Sequence, residues 1–268
     1  MNNVLFVGGS TPLAKEIIKL TKFKHFNLSN NYIFTNDVTN IKSLSKLVLN
    51  YDNTFFDSLI FTASINNSKR KLISGLRLNF FIPIVLLTKF NFKNIIFINT
   101  YWTLREYKKF NLYIFYKKIT NVLFMLFNLK KKFVYLSIFV GDMYYQNDRR
   151  DKLHVYLHEN ENKKSITTLS IEEKPIYPIF SETISSFIKE ILSNKQIFSK
   201  GNYLINAFNN KMKLCDYINL FKKVRKKNFI VKYGKIKSYK KIKHKTYSFY
   251  LIDFRSKQNL VNYFKSLE

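Results

Sequence analysis

Strand-length apolar runs and helical segments alternate through the first half of the chain. Residues 4–7, 58–64 and 94–100 have the composition of buried strands, whereas residues 13–22 and 113–129 place apolar side chains with helical periodicity. A parallel neighbour in a sheet is reached only through a crossover connection, which is usually a helix. The alternation therefore predicts an α/β fold built on a parallel sheet.

Weaker signals complete the predicted order of elements. Pro83 should bend or divide one of the helices, because proline lacks the amide N–H that a helix interior uses. The alternation becomes less regular after Gly141. The further predicted strands span residues 25–29, 32–35, 133–139, 165–170 and 202–208, and the further helices begin at about residue 40 or span residues 71–90, 181–192, 214–227 and 259–264.

The chain is strongly basic, with 46 Lys and Arg residues against 17 Asp and Glu residues and a net charge of +29. Such a charge often indicates a nucleic-acid partner. Here the abundant residue types are Lys, Asn, Ile, Phe and Tyr, all of which have A- and T-rich codons, and the basic residues are dispersed. A run such as residues 222–227 is typical of a solvated helix end. We therefore expect no nucleic-acid partner.

The sequence shows no targeting signal, and it contains a single cysteine. No run of 18 apolar residues occurs, and Met1-Asn2-Asn3 lacks the basic start of a signal peptide. These features predict a cytoplasmic protein with no membrane partner. The single cysteine, Cys215, excludes an internal disulfide and a multi-cysteine metal site. We expect no bound metal.

A short polar turn follows the first strand and leads into the first helix. A helix N-terminus at this place has free backbone N–H groups that can hold a pyrophosphate. The dinucleotide pattern G-x-x-G-x-x-G would fall on Gly8, Thr11 and Ala14, so two of its three glycines are replaced, and Thr11 adds a Cβ where phosphate should approach. The pattern alone also fits an ordinary strand-to-helix turn. The predicted cofactor-binding residues here are Gly8, Gly9, Ser10, Thr11, Pro12 and Leu13.

Three polar residues follow the most buried-looking strand. Thr100 ends that strand, and Tyr113 and Lys117 lie four residues apart on the next helix, hence on one helical face. A tyrosine phenol titrates near ~10, and a neighbouring ammonium would lower its pKa towards a range useful for acid catalysis. The Thr100 hydroxyl could bind the same carbonyl oxygen. These three residues are the predicted catalytic group.

Taken in order, these residues resemble the extended short-chain dehydrogenase/reductases, the NAD-dependent epimerase/dehydratase family, which act on nucleotide sugars. The resemblance runs along most of the chain. The matching segments are Val4-Leu5-Phe6-Val7-Gly8-Gly9 (cofactor turn), Phe61-Thr62-Ala63-Ser64 (strand end beside the cofactor), Leu78-Asn79-Phe80 (helix with an active-site asparagine), Phe97-Ile98-Asn99-Thr100 (catalytic Ser/Thr), Tyr113-Ile114-Phe115-Tyr116-Lys117 (catalytic Tyr and Lys) and Leu136-Ser137-Ile138-Phe139-Val140-Gly141-Asp142 (turn into the sugar-nucleotide lobe).

One further stretch resembles a subfamily. Asn147-Asp148-Arg149-Arg150-Asp151-Lys152-Leu153 is similar to the N-D-x-R-x-K-L segment of 4-keto-deoxysugar reductases such as abequose and paratose synthases, and Ile98-Asn99-Thr100 resembles the same group. The alternative for this stretch is a solvated charged loop. The resemblance implies a substrate-binding set of Asn79, Asn99, Asn147, Arg150 and Lys152.

The resemblance implies a Rossmann-type doubly wound parallel sheet with a smaller C-terminal α/β substrate lobe. It places the cofactor domain at residues 1–141 and the lobe at residues 142–268, with residues 181–193 packing back on the first domain. It adds Asp37, Ala63, Tyr113 and Lys117 to the cofactor-binding set. NADP(H) is favoured and NAD(H) is the alternative, because residues 27–30 lack the acidic residue that holds an NAD ribose.

The implied function is hydride transfer from NAD(P)H to the 4-keto group of a nucleotide-linked deoxysugar, in polysaccharide or glycan precursor biosynthesis. A homodimer through the apolar side of residues 121–129 is a further implication. Several residues depart from the family: the interval from Thr100 to Tyr113 is short, and Val140, Asp142 and Ser181-Glu182 replace common residues. A nucleotide-sugar 4-epimerase or dehydratase and a non-catalytic nucleotide- or RNA-binding Rossmann protein remain alternatives.

Overall fold

The computed structural model describes most of the chain, with several gaps in the connections. The predicted strand at residues 32–35 lies outside the described residues. The described residues are 3–21, 23–28, 38–41, 44–51, 56–63, 72–104, 111–145, 153–194, 198–208, 211–236, 249–251 and 260–267.

Strands and helices alternate as the sequence predicts. The strands are β1 (Asn3–Val7), β2 (Lys24–Leu28), β3 (Val38–Ile41), β4 (Ser58–Phe61), β5 (Asn94–Thr100), β6 (Val134–Val140), β7 (Asp142–Tyr144), β8 (Ser165–Ser170), β9 (Pro175–Ile176), β10 (Pro178–Phe180), β11 (Gly201–Ala207), β12 (Met212–Lys213), β13 (Ile230–Ile236) and β14 (Phe249–Leu251). The helices are α1 (Pro12–Leu20), α2 (Leu44–Asn50), α3 (Leu72–Leu76), α4 (Ile82–Lys89), α5 (Leu112–Lys131), α6 (Leu153–Glu159), α7 (Ser181–Ser193), α8 (Leu214–Arg225) and α9 (Leu260–Lys265).

One parallel sheet organises the molecule. Its strand order is β14-β11-β6-β5-β4-β1-β2-β3, and its recorded pairings are all parallel. The strand order runs outward from β1 in both directions, as in a doubly wound Rossmann sheet. The predicted α/β Rossmann-type fold is therefore confirmed. The sheet also takes up β11 and β14 from the C-terminal half, so it crosses the predicted domain boundary at residue 141.

Both faces of the sheet are covered by helices. Successive side chains of a strand point to opposite faces. Val4 and Phe6 pack with the apolar faces of α1 and α7, whereas Leu5 and Val7 join a cluster that includes Leu47 of α2 and helices α4 and α5. Burial on both faces explains why these strands are continuous apolar runs.

The predicted helix at residues 71–90 is divided, as expected from Pro83. A π-helical turn, Arg77–Phe81, separates α3 from α4. Pro83 has no N–H to offer the carbonyl of Asn79 four residues earlier, and the Thr120 hydroxyl of α5 donates to that carbonyl instead (2.9 Å). By composition and length, residues 72–89 could cross a membrane, but a single segment of this kind is weak evidence.

The sequence-based prediction near residue 40 was wrong. Residues 38–41 form the edge strand β3, which pairs with β2, and α2 begins only at Leu44. The segment is short and its helical periodicity is weak, so pairing with β2 decides its conformation. Strands β13 and β14 were also absent from the predicted elements.

A separate apolar cluster in the C-terminal half is formed by α6, α8 and α9 together with β7 and β8. Its fully buried members include Leu157, Tyr217, Phe221 and Phe264. The Arg225 guanidinium joins these helices, because it donates to both oxygens of Glu161 (2.9 and 3.0 Å) and to the carbonyl of Leu267 (2.7 Å). The C-terminal segment is therefore part of this cluster.

Candidate active site

The parallel strands β1, β4 and β5 end side by side at one edge of the sheet. Ligands of open α/β sheets bind at this carboxyl edge. Gly8 follows β1 with a φ of +90°, and a Cβ on Gly8 would lie 2.7 Å from backbone atoms of Ala63 after β4. Only glycine fits this approach. The turn and the end of β4 therefore form a close-packed cradle.

The polar groups of the turn bond largely to one another. The Gly9 N–H donates to Asn27 Oδ1 (2.8 Å), and the Thr11 N–H donates to the Gly8 carbonyl (3.0 Å). Thr11 also caps α1, since its hydroxyl accepts the N–H of Ala14 (3.4 Å). Its hydroxyl donates in turn to Thr62 (3.1 Å). Thr11 thus has a structural role that the glycine pattern did not indicate.

Thr100 and Tyr113 meet at the same edge. Asn111 caps α5, because its side chain accepts the Ile114 N–H, and this places Tyr113 in the first helical turn. Burial raises the pKa of Tyr113 to about 12, and a side-chain hydrogen bond with Thr100 opposes part of that rise. The predicted lowering of this pKa by the neighbouring ammonium was wrong, because desolvation dominates.

The ammonium of Lys117 lies deep in the same edge. Lys117 is 3% exposed, and its Nζ donates to the carbonyls of Ile98 (2.7 Å) and Ala63 (3.3 Å). It also stands 4.8 Å from the centre of the Phe97 ring. Burial lowers the pKa of Lys117 to about 7. The ammonium therefore bridges the ends of β4 and β5.

The predicted substrate-binding residue Asn99 lies beneath Thr100. Its Oδ1 accepts the Thr100 N–H (2.8 Å), and its Nδ2 donates to Ser137 (3.2 Å) and weakly to Asn121 (3.5 Å). Tyr135 donates to the same Asn121 oxygen (2.8 Å). These contacts position Thr100, and a substrate contact of Asn99 stays a prediction.

The second predicted substrate-binding residue, Asn79, is 2% exposed. Its side-chain amide donates to the Gly75 carbonyl (2.9 Å), and its side-chain oxygen lies 3.4 Å from the Thr120 hydroxyl. Both polar atoms of the amide are thus engaged where the π-helical turn meets α5. Its predicted contact with a substrate likewise stays a prediction.

The remaining predicted residues divide into two groups. Ser10 and Pro12 lie on the accessible side of the turn, whereas the Leu13 side chain is buried in the core. Those that lie outside the described residues are Asp37, Asn147, Arg150 and Lys152.

Two site residues were missed from the sequence. Thr62 donates to the Gly8 carbonyl (2.8 Å), and Asn27 accepts the Gly9 N–H. Both are polar residues at the carboxyl ends of apolar strands, a position that marks sites in parallel sheets. This position at the ends of the strands is the sequence signal that could have identified both residues.

A cavity of about 620 Å³ opens in the C-terminal half. Its lining includes Asp142, Tyr144, His154, Tyr156 and Lys174. Asp142 connects this cavity with the carboxyl edge of the sheet, because its Oδ2 accepts a hydrogen bond from the hydroxyl of Tyr101, the residue after Thr100 (3.3 Å). The same oxygen accepts the N–H of Tyr177 (2.9 Å).

Solved structures of other proteins share this architecture. The UDP-glucose 4-epimerase of Thermotoga maritima, in complex with UDP-glucose, has a TM-score of 0.70 and 13% identity over 88% of this chain and 87% of its own. The UDP-glucuronic acid 4-epimerase of Bacillus cereus, with UDP-glucuronic acid and NAD, also has a TM-score of 0.70 and 13% identity, covering 87% and 86%. The likeness is one of fold.

A third similar structure is the UDP-N-acetylglucosamine 4-epimerase of Methanobrevibacter ruminantium, with a TM-score of 0.68 and 14% identity over 88% of this chain and 86% of that one. No protein-family model matches the sequence, and no curated protein sequence matches it.

Proposed function

We propose that this protein is a nicotinamide-dependent oxidoreductase that acts on a nucleotide-linked sugar. The observation that carries the proposal is the assembly of Thr100, Tyr113 and Lys117 at the carboxyl edge of the sheet, beside the Gly8 turn. Two solved structures of the same fold are complexes, one with UDP-glucose and one with UDP-glucuronic acid and NAD. The non-catalytic alternative would leave this arrangement without a role.

The residues present fit a nicotinamide cofactor. The turn that follows Gly8 would take the phosphates, and Tyr113 and Lys117 would face the nicotinamide end. When bound, the cofactor supplies or accepts a hydride. Residues 27–30, at and after the end of β2, include no acidic residue that could hold an NAD ribose, which supports NADP(H). NAD(H), which is named with the similar structures, is the alternative.

The protein side chains supply the proton chemistry. With a pKa of about 12, the Tyr113 phenol keeps its proton at neutral pH and can donate it to the oxygen of a carbonyl that is being reduced. Thr100 would hydrogen-bond the same oxygen, and Lys117 would hold the ribose of the cofactor. Reduction of a sugar ketone requires such a proton donor, and we propose reduction of a 4-keto deoxysugar for glycan precursors. A 4-epimerase, as in the similar structures, is the second candidate.

The substrate would bind across the edge of the sheet and the C-terminal half. The cavity beside Asp142 is large enough for part of a nucleotide sugar, and pockets of 300–1,000 Å³ are usual for such ligands. Residues 142–268 then supply most of a substrate lobe. Asn147, Arg150 and Lys152 are assigned to the substrate nucleotide by sequence alone.

A direct assay separates the candidate functions. The full chain is incubated with NADPH or NADH and a panel of nucleotide-linked 4-keto-6-deoxy sugars, and both reduced-nicotinamide absorbance and product mass are followed. A reductase consumes the cofactor and adds two hydrogen atoms to the sugar. An epimerase instead interconverts UDP-sugars without net cofactor consumption. Salt-sensitive RNA binding without any cofactor binding would contradict both and favour the non-catalytic alternative.

We also infer a homodimer through α5. Phe115, Ile119, Val122, Leu126 and Leu129 follow one another at spacings of four and three residues, and Leu126 and Leu129 are 57% and 72% exposed. Such spacing forms a seam that packs against another helix.

Charge in this seam should break the dimer. Leu126→Glu combined with Leu129→Glu is expected to give the monomer mass in light scattering, whereas the wild type gives twice that mass. Leu49→Glu, at a leucine of α2 that is 82% exposed, is the control and should leave the dimer intact. A monomeric wild-type protein at micromolar concentration would contradict the inference.

A further inference from the structure

We propose that this protein releases and rebinds its nicotinamide cofactor in every turnover, because its phosphate turn is already largely satisfied by internal hydrogen bonds. The inference rests on the proposed function and narrows it to net oxidation or reduction. It depends on the hydrogen bonds of residues 9–14.

The first N–H groups of a helix and of the turn before it normally have no partner within the helix and are the donors that bind phosphate. In this turn the N–H groups of Gly9, Thr11 and Ala14 already donate to Asn27, Gly8 and Thr11, respectively. Asn27 is fully buried and lies on β2, so its hold on Gly9 is part of the sheet and not of a mobile loop.

Pro12 removes a further donor. It is the first residue of α1 and has no N–H, and it is exposed at the mouth of the turn. Of the amides from Gly9 to Ala14, those of Ser10 and Leu13 have no acceptor in the described structure. Two amides must therefore serve a pyrophosphate, and the first helical turn carries no basic side chain beyond Lys15 to add to them.

Thr11 makes further adjustment costly. Its hydroxyl caps α1 and contacts Thr62, which in turn holds the Gly8 carbonyl. Turning this O–H towards a phosphate would break its hydrogen bond to Thr62, and any shift of the oxygen away from the Ala14 N–H would also weaken the cap and destabilise the helix. The phosphate end therefore contributes less affinity than a turn with free amides, and the dinucleotide is held mainly at Tyr113 and Lys117.

Weak binding of the cofactor distinguishes the reductase from the 4-epimerase. An epimerase returns the hydride to the same sugar, so its cofactor must stay bound through the cycle. In a net reduction the carbonyl carbon gains a hydride from NAD(P)H and its oxygen gains the Tyr113 proton. The products are an alcohol and NAD(P)⁺, which must leave, and the phenolate is reprotonated from solvent. An exchangeable cofactor matches the second scheme.

The test uses the purified full chain and measures binding instead of turnover. We expect no stoichiometric NAD(P)(H) to survive gel filtration, and a Kd for NADPH and NADH above roughly 10 µM by fluorescence titration. Pro12→Ala restores one backbone donor and should tighten both Kd values about tenfold, the effect of one hydrogen bond to a charged group. ADP-ribose, which carries the diphosphate without the nicotinamide, should gain the same factor.

Two more variants complete the design. Thr11→Gly frees the Ala14 amide and removes the Cβ, and it should tighten binding in the same direction even if thermal melting shows a loss of stability. Pro175→Ala, the same substitution in β9, is the control and should leave all three Kd values unchanged.

Three results would overturn the inference. Cofactor that co-purifies at one equivalent per chain would show tight retention while leaving the proposed function standing. Kd values unaffected by both Pro12→Ala and Thr11→Gly would show that the turn does not limit affinity. Absence of NAD(P)(H) binding in the wild type and both variants at millimolar ligand would instead remove the proposed function itself.

Discussion

Replacing Tyr113 with phenylalanine is expected to lower the rate of sugar reduction by about 10²–10⁴-fold, because the substitution removes the proton donor and keeps the ring. Affinity for NADPH should change little. The rate is measured under single-turnover conditions with a 4-keto sugar nucleotide, and the cofactor Kd is measured by fluorescence.

Tyr116→Phe is the matched control for this experiment. Tyr116 lies on the same helix, and its hydroxyl donates to the Leu72 carbonyl (3.0 Å), so it has a packing role. We expect this variant to lose about 1 kcal/mol of stability and to keep its rate within a few-fold. A Tyr113→Phe protein that reduces the sugar as fast as the wild type would refute the assignment of Tyr113 as acid.

Replacing Lys117 with methionine is expected to change how stability depends on pH. The folded protein holds the Lys117 pKa at about 7, below its ordinary value of 10.5, so the unfolded chain binds this proton more tightly. The destabilising effect of Lys117 is therefore fully present below pH 7 and fades as the pH rises towards 10.5. Its contribution to the slope is at most about 1.4 kcal/mol per pH unit.

Lys117→Met should remove this contribution. Urea unfolding at pH 7 and pH 9 is expected to show a smaller rise in the free energy of unfolding than in the wild type, and stability at pH 7 at least equal to that of the wild type. Lys118→Met, at the exposed neighbouring lysine, should keep the wild-type slope. Loss of NADPH binding should accompany Lys117→Met alone. An unchanged slope would mean that the ammonium is better solvated than the structure indicates.

The sequence was sufficient for the parallel sheet, which follows from the alternation of strand and helix patterns. It also indicated that Thr100 ends a buried strand and that Tyr113 and Lys117, four residues apart, share one face of the next helix. It misled on the pKa of Tyr113, because the sign depends on desolvation by residues distant in sequence. The contact of Asn27 with Gly9 joins β2 to the turn after β1, and the position of Asn27 near the end of β2 marks it as a site residue without indicating this partner.

Thr11 shows a different kind of failure. The pair Thr11-Pro12 carries the sequence signature of an N-cap followed by a first-turn proline, whereas the glycine pattern placed Thr11 in the cofactor-binding set, with its Cβ as an obstacle to phosphate, and gave no indication of a cap. Strand β11 joins the main sheet because it pairs with β6 over its full length, and β14 joins because it pairs with β11. Local periodicity contains no signal for such pairing between distant segments.

Ala63 contacts both the turn after β1 and the ammonium of Lys117. Its N–H donates to Val7, its backbone fills the space beside Gly8, and its carbonyl accepts the ammonium of Lys117. These contacts join the turn after Gly8 to Lys117 of α5. Under the proposed function, we expect a ligand that shifts the turn to move the Lys117 nitrogen as well, which would couple the phosphate end of a bound dinucleotide to its nicotinamide end.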